Sequence, residues 1–117
     1  DMREVIEKAD SGDERAGVAL DVYTYRIKKY IGAYHAALGC LNAIIFTAGI
    51  GENSPFIREH ACQGLEKLGI EIDPKKNDKS GEGVWEISTT ESEVKVLVVP
   101  TNEELRIAQE TKRAVSP

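Results

Sequence analysis

Cysteine, histidine and surplus positive charge are all in short supply in this sequence, and each shortage removes a class of function. The two cysteines, Cys40 and Cys62, form no CxxC pair and cannot build the disulfide framework of a small secreted domain. Two histidines, His35 and His60, leave a structural zinc site without suitable ligand spacing. Acidic residues outnumber basic ones, 20 to 15, for a net charge of -5. Phosphate backbones are bound by surplus Lys and Arg, so no nucleic-acid partner is expected. The densest basic run, Lys75-Lys76 with Lys79, is interrupted by Asp73 and Asp78 beside Pro74, which predicts a solvated loop. No apolar stretch approaches the roughly 20 residues that span a bilayer, and no basic-then-apolar leader opens the chain. Neither membrane insertion nor export is expected, and a cytoplasmic location suits the two thiols. The start at Asp1-Met2 reads as the cut end of a longer chain.

What remains is an ordinary globular composition, 41% apolar and 30% charged, over 117 residues, enough for one domain with one core. The first half reads as helix. Residues 1–8 have some helical character; then Ser11 or Asp13 can cap a long segment ending at Gly39. Along it Ala16, Ala19, Leu20, Tyr23, Ile27, Tyr30, Ile31, Tyr34 and Leu38 recur at steps of three and four, a stripe suited to a core or, through its tyrosines, to a dimer seam. The run 43–47 is short, apolar and β-branched, which predicts a buried strand with helices on both sides of its sheet. Ser54-Pro55 announces a helix running to about Leu68 and stopped by Gly69. Residues 70–72 and 84–88 read as weak strands flanking a polar loop, 94–99 as a strong strand, and 102–114 as a final helix. The alternation predicts an α/β domain.

Two junctions carry chemistry. The first strand ends in Thr47-Ala48-Gly49-Ile50-Gly51-Glu52-Asn53-Ser54, a glycine turn feeding a helix. Glycines admit a ligand close to the backbone, and free amides at a helix start favour anions. The turn lacks both the Lys of a P-loop and the third glycine of a dinucleotide fingerprint. On the residues alone, a nucleotide site and a merely tight turn stand level, and Glu52 and Asn53 equally suit helix capping. At the second junction, Thr101 and Glu104 fit a capping box, which leaves Glu103 without structural duty. A free carboxylate there can hold Mg²⁺, or simply favour the helix dipole. His35, His60, Trp85, Cys40 and Cys62 are expected to be structural or inert.

Phe46-Thr47-Ala48-Gly49-Ile50-Gly51-Glu52-Asn53-Ser54 resembles the adenosine motif of acetate kinases, members of the acetate and sugar kinase, heat-shock-70 and actin superfamily. Asp21-Val22-Tyr23 through Lys29-Tyr30-Ile31-Gly32-Ala33-Tyr34 is similar to that family's long helix. Pro100-Thr101-Asn102-Glu103-Glu104-Leu105 with Ile107-Ala108-Gln109 is similar to its carboxy-terminal signature. The three matches stand in the family's order. The resemblance implies a ribonuclease H-like (actin-like ATPase) domain fragment, a mixed sheet flanked by helices, with residues 1–117 forming the carboxy-terminal nucleotide-binding part. It implies Asp1, Met2, Arg3, Gly49, Ile50, Gly51, Glu52 and Asn53 as ATP/ADP contacts and Glu103 as a magnesium ligand. It further implies acetate as co-substrate, catalytic residues in an amino-terminal part outside this sequence, and a homodimer. Propionate in place of acetate, and a non-catalytic module dimerising through the Tyr-rich helix, are the rival expectations.

Overall fold

The computed structural model describes residues 1–79 and 81–117. Helix α1 (Met2–Asp10) is capped by the Asp1 carboxylate, which accepts from the Arg3 amide. Helix α2 (Glu14–Leu38) starts at Asp13, whose side chain accepts from Ala16 N–H at 3.0 Å. Ser11 closes α1 instead, its hydroxyl donating to the Lys8 carbonyl. Gly39, at φ 73°, ends α2 in a conformation that costs a side-chain-bearing residue more. The stripe on α2 is buried only at its start, at Ala16 and Leu20, joined by Thr24, whose hydroxyl returns to the Leu20 carbonyl. Ile27 and Ile31 touch the core; Ala19 is exposed beside buried Leu20, and Tyr30, Tyr34 and Leu38 are exposed because no described element covers that end of the helix.

Strand β1 (Ala43–Phe46) leads into a short helix, α3 (Ala48–Asn53), and then α4 (Pro55–Cys62), capped by the Ser54 hydroxyl on Ile57 N–H. The expected run to Leu68 breaks early. Gly64 takes a φ of 81°, and the chain continues as a 3₁₀ turn, Glu66–Leu68, before Gly69 at φ 79°. The basic run is not a bare loop but helix α5 (Pro74–Asp78), nucleated by Asp73 accepting from two amides. Strands β2 (Trp85–Glu86) and β3 (Lys95–Val98) follow, with Ile72 making only an isolated bridge to Ser88. Helix α6 (Glu103–Val115) closes the chain with no buried residue.

The three-stranded sheet is mixed, in the order β1-β3-β2, with β1 parallel and β2 antiparallel to β3. Phe46, Val96 and Val98 meet Ala61 and Cys62 of α4 together with Leu65, Ile70 and Ile87 in a single core. Ile45, on the alternate face of β1, is 58% exposed. Strand β1 is thus an edge with one face bare within this chain. Its apolar run predicts helical cover on both sides, and the described residues supply that cover on the Phe46 side alone.

Candidate functional site

Parallel pairing of β1 with β3 sends both following loops out of the same end of the sheet. Register matches Phe46 with Val98, and one residue further the Thr47 hydroxyl donates to the Val99 carbonyl at 2.7 Å. Thr47 therefore spends its side chain on the neighbouring loop, and α3 has no side-chain cap. Ala48 sits at φ 60°, in the left-handed region that alanine enters at a cost. That strained residue turns the chain from strand into α3 within a single step.

The turn at 49–53 thus becomes one and a half turns of helix, and its residues divide between three duties. Gly49, Ile50 and Asn53 line a cleft of about 480 Å³ together with Asp1, with Met2, Arg3 and Ile6 of α1, and with Ser54, Pro55 and Phe56. Segments nearly fifty positions apart in sequence share this cleft. Gly51 points away from it, and a Cβ there would come within 3.1 Å of the Phe46 main chain. Together with Gly49 and Ile50 it borders an adjoining apolar hollow of about 590 Å³ that also takes in Thr47, Ala48 and Ile45. Glu52 turns to the second loop. Its carboxylate accepts from the Thr101 hydroxyl at 3.2 Å and from the Thr101 amide at 3.3 Å.

That contact overturns the expected capping box. Asn102 is the cap of α6, accepting from Leu105 N–H, because Thr101 is held by Glu52. Glu103 opens α6 fully in solvent, and among the described residues its carboxylate enters no hydrogen bond or ion pair. The free carboxylate expected there is present, two residues beyond the point where the two loops join. Arg3 pairs with Asp1 at 2.9 Å on the cleft rim. Such an exposed pair is worth little, so a ligand can redirect either partner at small cost. Asn53 donates from its side chain to the Gly49 carbonyl at 2.9 Å, which stiffens the cleft wall.

The sequence reading passed over Arg58. It is 1% exposed and donates to the Gly51 and Glu52 carbonyls, the Asn77 side-chain oxygen and the Asn77 carbonyl. Burial lowers the affinity of its guanidinium for its proton, and the charge of Asp78 partly restores it. A signal was available: Arg58 falls among Ile57, Ala61 and Cys62 on the apolar side of α4. His60 is structural, its Nδ1 donating to the Phe56 carbonyl and its ring stacked on Phe56 at 3.8 Å. Cys62 is an unreactive thiol, pushed by burial up to about 12 against the opposing pull of Lys28.

Residues 1–109 match the acetokinase family. Over 115 residues the chain is 56% identical to the acetate kinase of Dictyoglomus thermophilum, covering 98% of this chain and 29% of that protein. The crystal structure of Porphyromonas gingivalis acetate kinase superposes with a TM-score of 0.86 at 44% identity, covering 99% of this chain and 29% of that one. A propionate kinase from Francisella tularensis superposes at 0.83 with 40% identity, covering 94% of this chain and 28% of that one. The chain therefore spans less than a third of the length of these relatives. With the glycine loop, the carboxy-terminal signature and the fold all agreeing, the chain belongs to the acetokinase family.

Proposed function

We propose that this chain is the nucleotide-binding part of an acetate kinase, which transfers a phosphoryl group between ATP and acetate to give ADP and acetyl phosphate. The observation that carries this reading is the shared cleft: Asp1, Met2 and Arg3 line it together with Gly49, Ile50 and Asn53. The adenosine lies in the cleft, where Arg3 is free to leave Asp1 and stack on the base. Gly49 and Ile50 rim both the cleft and the adjoining hollow, so the phosphates run over them past Gly51 and toward the second loop. Glu52 contributes by holding Thr101.

Glu103 suits magnesium, which takes hard oxygen donors, few of them from protein. Bound there, the ion would neutralise charge on the nucleotide phosphates. Asn102, by capping α6, fixes the backbone that carries the Glu103 carboxylate. The acid-binding and catalytic side chains belong to an amino-terminal part outside this sequence, and the whole protein works as a cytoplasmic homodimer. Exposed Tyr30 and Tyr34, stacked at 6.2 Å on α2, suit that interface. A second reading, propionate as acceptor, is favoured by the likeness to the Francisella enzyme.

The test is calorimetry of ADP with magnesium on the full-length chain, beside Gly49→Val. A Cβ at Gly49 meets nothing within 4 Å, so a side chain can be added there without displacing α3, at a position that lines the cleft. Wild type binds, and Gly49→Val loses at least about tenfold in affinity, the scale of one lost good contact. Equal binding by both would refute the cleft as the nucleotide site. Acetyl phosphate and propionyl phosphate production, measured acid by acid, separates the two acceptors. The 117 residues alone are expected to produce neither.

A further inference from the structure

We infer that Arg58 is a positioning residue for the nucleotide loop, clamping the carboxyl end of α3 so that Gly49, Ile50 and Asn53 keep their place in the cleft wall. The inference rests on the nucleotide reading above. Helix α3 has six residues and cannot satisfy its own last carbonyls. Ser54 N–H takes the Ile50 carbonyl at 3.0 Å. The next two, Gly51 and Glu52, receive one nitrogen of Arg58 at 2.9 and 3.0 Å. The opposite side of the guanidinium is gripped by Asn77, through its side-chain oxygen and its carbonyl, both at 2.7 Å. Asn77, itself fully buried, donates onward to the Pro55 carbonyl at 2.9 Å. One planar cation thus ties the end of α3 to α5 and to the start of α4.

An arginine is a costly way to fill such a space. Among the described residues no carboxylate lies within ion-pair distance of it, and all four acceptors are neutral. Burying a cation without a paired anion is unfavourable, and an apolar side chain of similar volume would pack without that cost. What an apolar residue cannot do is reach two adjacent carbonyls and an amide on opposite sides with fixed angles. The planar fork of the guanidinium does so, and the ammonium of lysine does not. The clamp acts on a helix that begins at strained Ala48 and so lacks a relaxed geometry of its own.

The experiment compares full-length wild type, Arg58→Lys and Gly49→Val by ADP-magnesium calorimetry, thermal melting, and KM for nucleotide and for the acid. Arg58→Lys is expected to melt cooperatively, to bind nucleotide about tenfold or more weakly, and to keep its KM for the acid within about twofold. Free guanidinium should restore part of the nucleotide affinity to Arg58→Ala. A folded Arg58→Lys with wild-type nucleotide affinity, or with equal losses for nucleotide and acid, would overturn the inference. So would failure of Arg58→Lys to fold, which would assign the arginine to the stability of the whole domain. Gly49→Val separates the two claims. If it weakens nucleotide while Arg58→Lys does not, the clamp alone is wrong; if it leaves nucleotide untouched, the cleft reading falls first.

Discussion

Two glycines in one six-residue helix should respond in opposite ways to the same added methyl group. At Gly49 the new Cβ meets nothing within 4 Å, and the backbone is not left-handed, so Gly49→Ala mainly narrows the unfolded ensemble. The expected gain is about 0.4–1 kcal/mol. At Gly51 the same entropic gain applies, but the Cβ would lie 3.1 Å from the Phe46 carbonyl carbon and 3.5 Å from its Cα. That neighbour is strand backbone, held by pairing with Val98 and by the Val99 amide on its carbonyl, and it cannot swing aside as a side chain would. Overpacking of this kind costs about 1–3 kcal/mol. The net for Gly51→Ala is therefore a loss of up to about 2.6 kcal/mol, and the two variants should differ by about 1–3 kcal/mol. Urea titration with both variants beside wild type reads this directly, provided the slopes agree. Equal shifts of the same sign would refute the account, since it would mean that α3 slides freely against β1. The comparison also separates the glycines functionally: Gly51→Val would act by displacing α3, and only a Gly49 variant tests the cleft wall itself.

Glu103→Ala should cost stability only about 0.3–1 kcal/mol, the helix-dipole contribution of an exposed acid in the first turn of α6, while raising the magnesium needed for half-maximal turnover; unchanged kinetics at limiting magnesium would count against the metal role. A double-mutant cycle of Glu52→Ala with Thr101→Val, read by denaturation, should give a coupling of about 0.5–1.5 kcal/mol. A zero coupling would mean that the two loops do not meet in solution. Cys62 should make the fold alkali-sensitive. Burial pushes its thiol up to about 12, above the 9.0 of a free thiol, so between those limits the unfolded chain binds fewer protons than the folded one. Stability contributed by the neutral thiol is whole below pH 9 and falls by about 1.4 kcal/mol per pH unit above it. Cys62→Ala should abolish that part of the slope, and identical slopes in both proteins would show the thiol to be accessible.

The elements that were legible in the sequence are those whose signal is local. Asp13 and Gly39 bracket α2 by capping and left-handed geometry, Ser54-Pro55 starts α4, and the β-branched runs around Ile44 and Val96 became the paired strands. The departures arise where a group is claimed by a partner that the local pattern does not name. Thr101 looks like a helix cap until Glu52, 49 positions earlier, claims its amide and hydroxyl. Thr47, read as part of a glycine turn, reaches across to the Val99 carbonyl. Lys75 and Lys76 look solvated, yet Asp73 draws their amides into α5, and Lys76 donates to the Ser88 carbonyl. The stripe of α2 erred in the other direction. Periodicity reports which face is apolar, and it says nothing of how far along the helix a neighbouring element extends.

Why Glu52 should find Thr101 follows from where the two chains start and how each leaves the sheet. Both start level, at Thr47 and Val99, beyond paired Phe46 and Val98, and the Thr47 hydroxyl ties the first to the second at the Val99 carbonyl. Strained Ala48 then folds the first chain back, so that Gly51 packs on the Phe46 main chain, where a Cβ would stand 3.1 Å from the carbonyl carbon. Helix α3 therefore lies against the end of β1 and keeps Glu52 within reach of the second loop. Two residues beyond Val99, the Thr101 amide and hydroxyl both donate to its carboxylate. Asn102 is left free to start α6, with Glu103 beside it. The same reasoning explains why α3 must be held as a helix. Five residues advance about 7.5 Å in a helix and about 16.5 Å in an extended chain, so opening α3 would carry Glu52 away from Thr101. The two loops would then part, and the Arg58 grip on the Gly51 and Glu52 carbonyls is what opposes that opening.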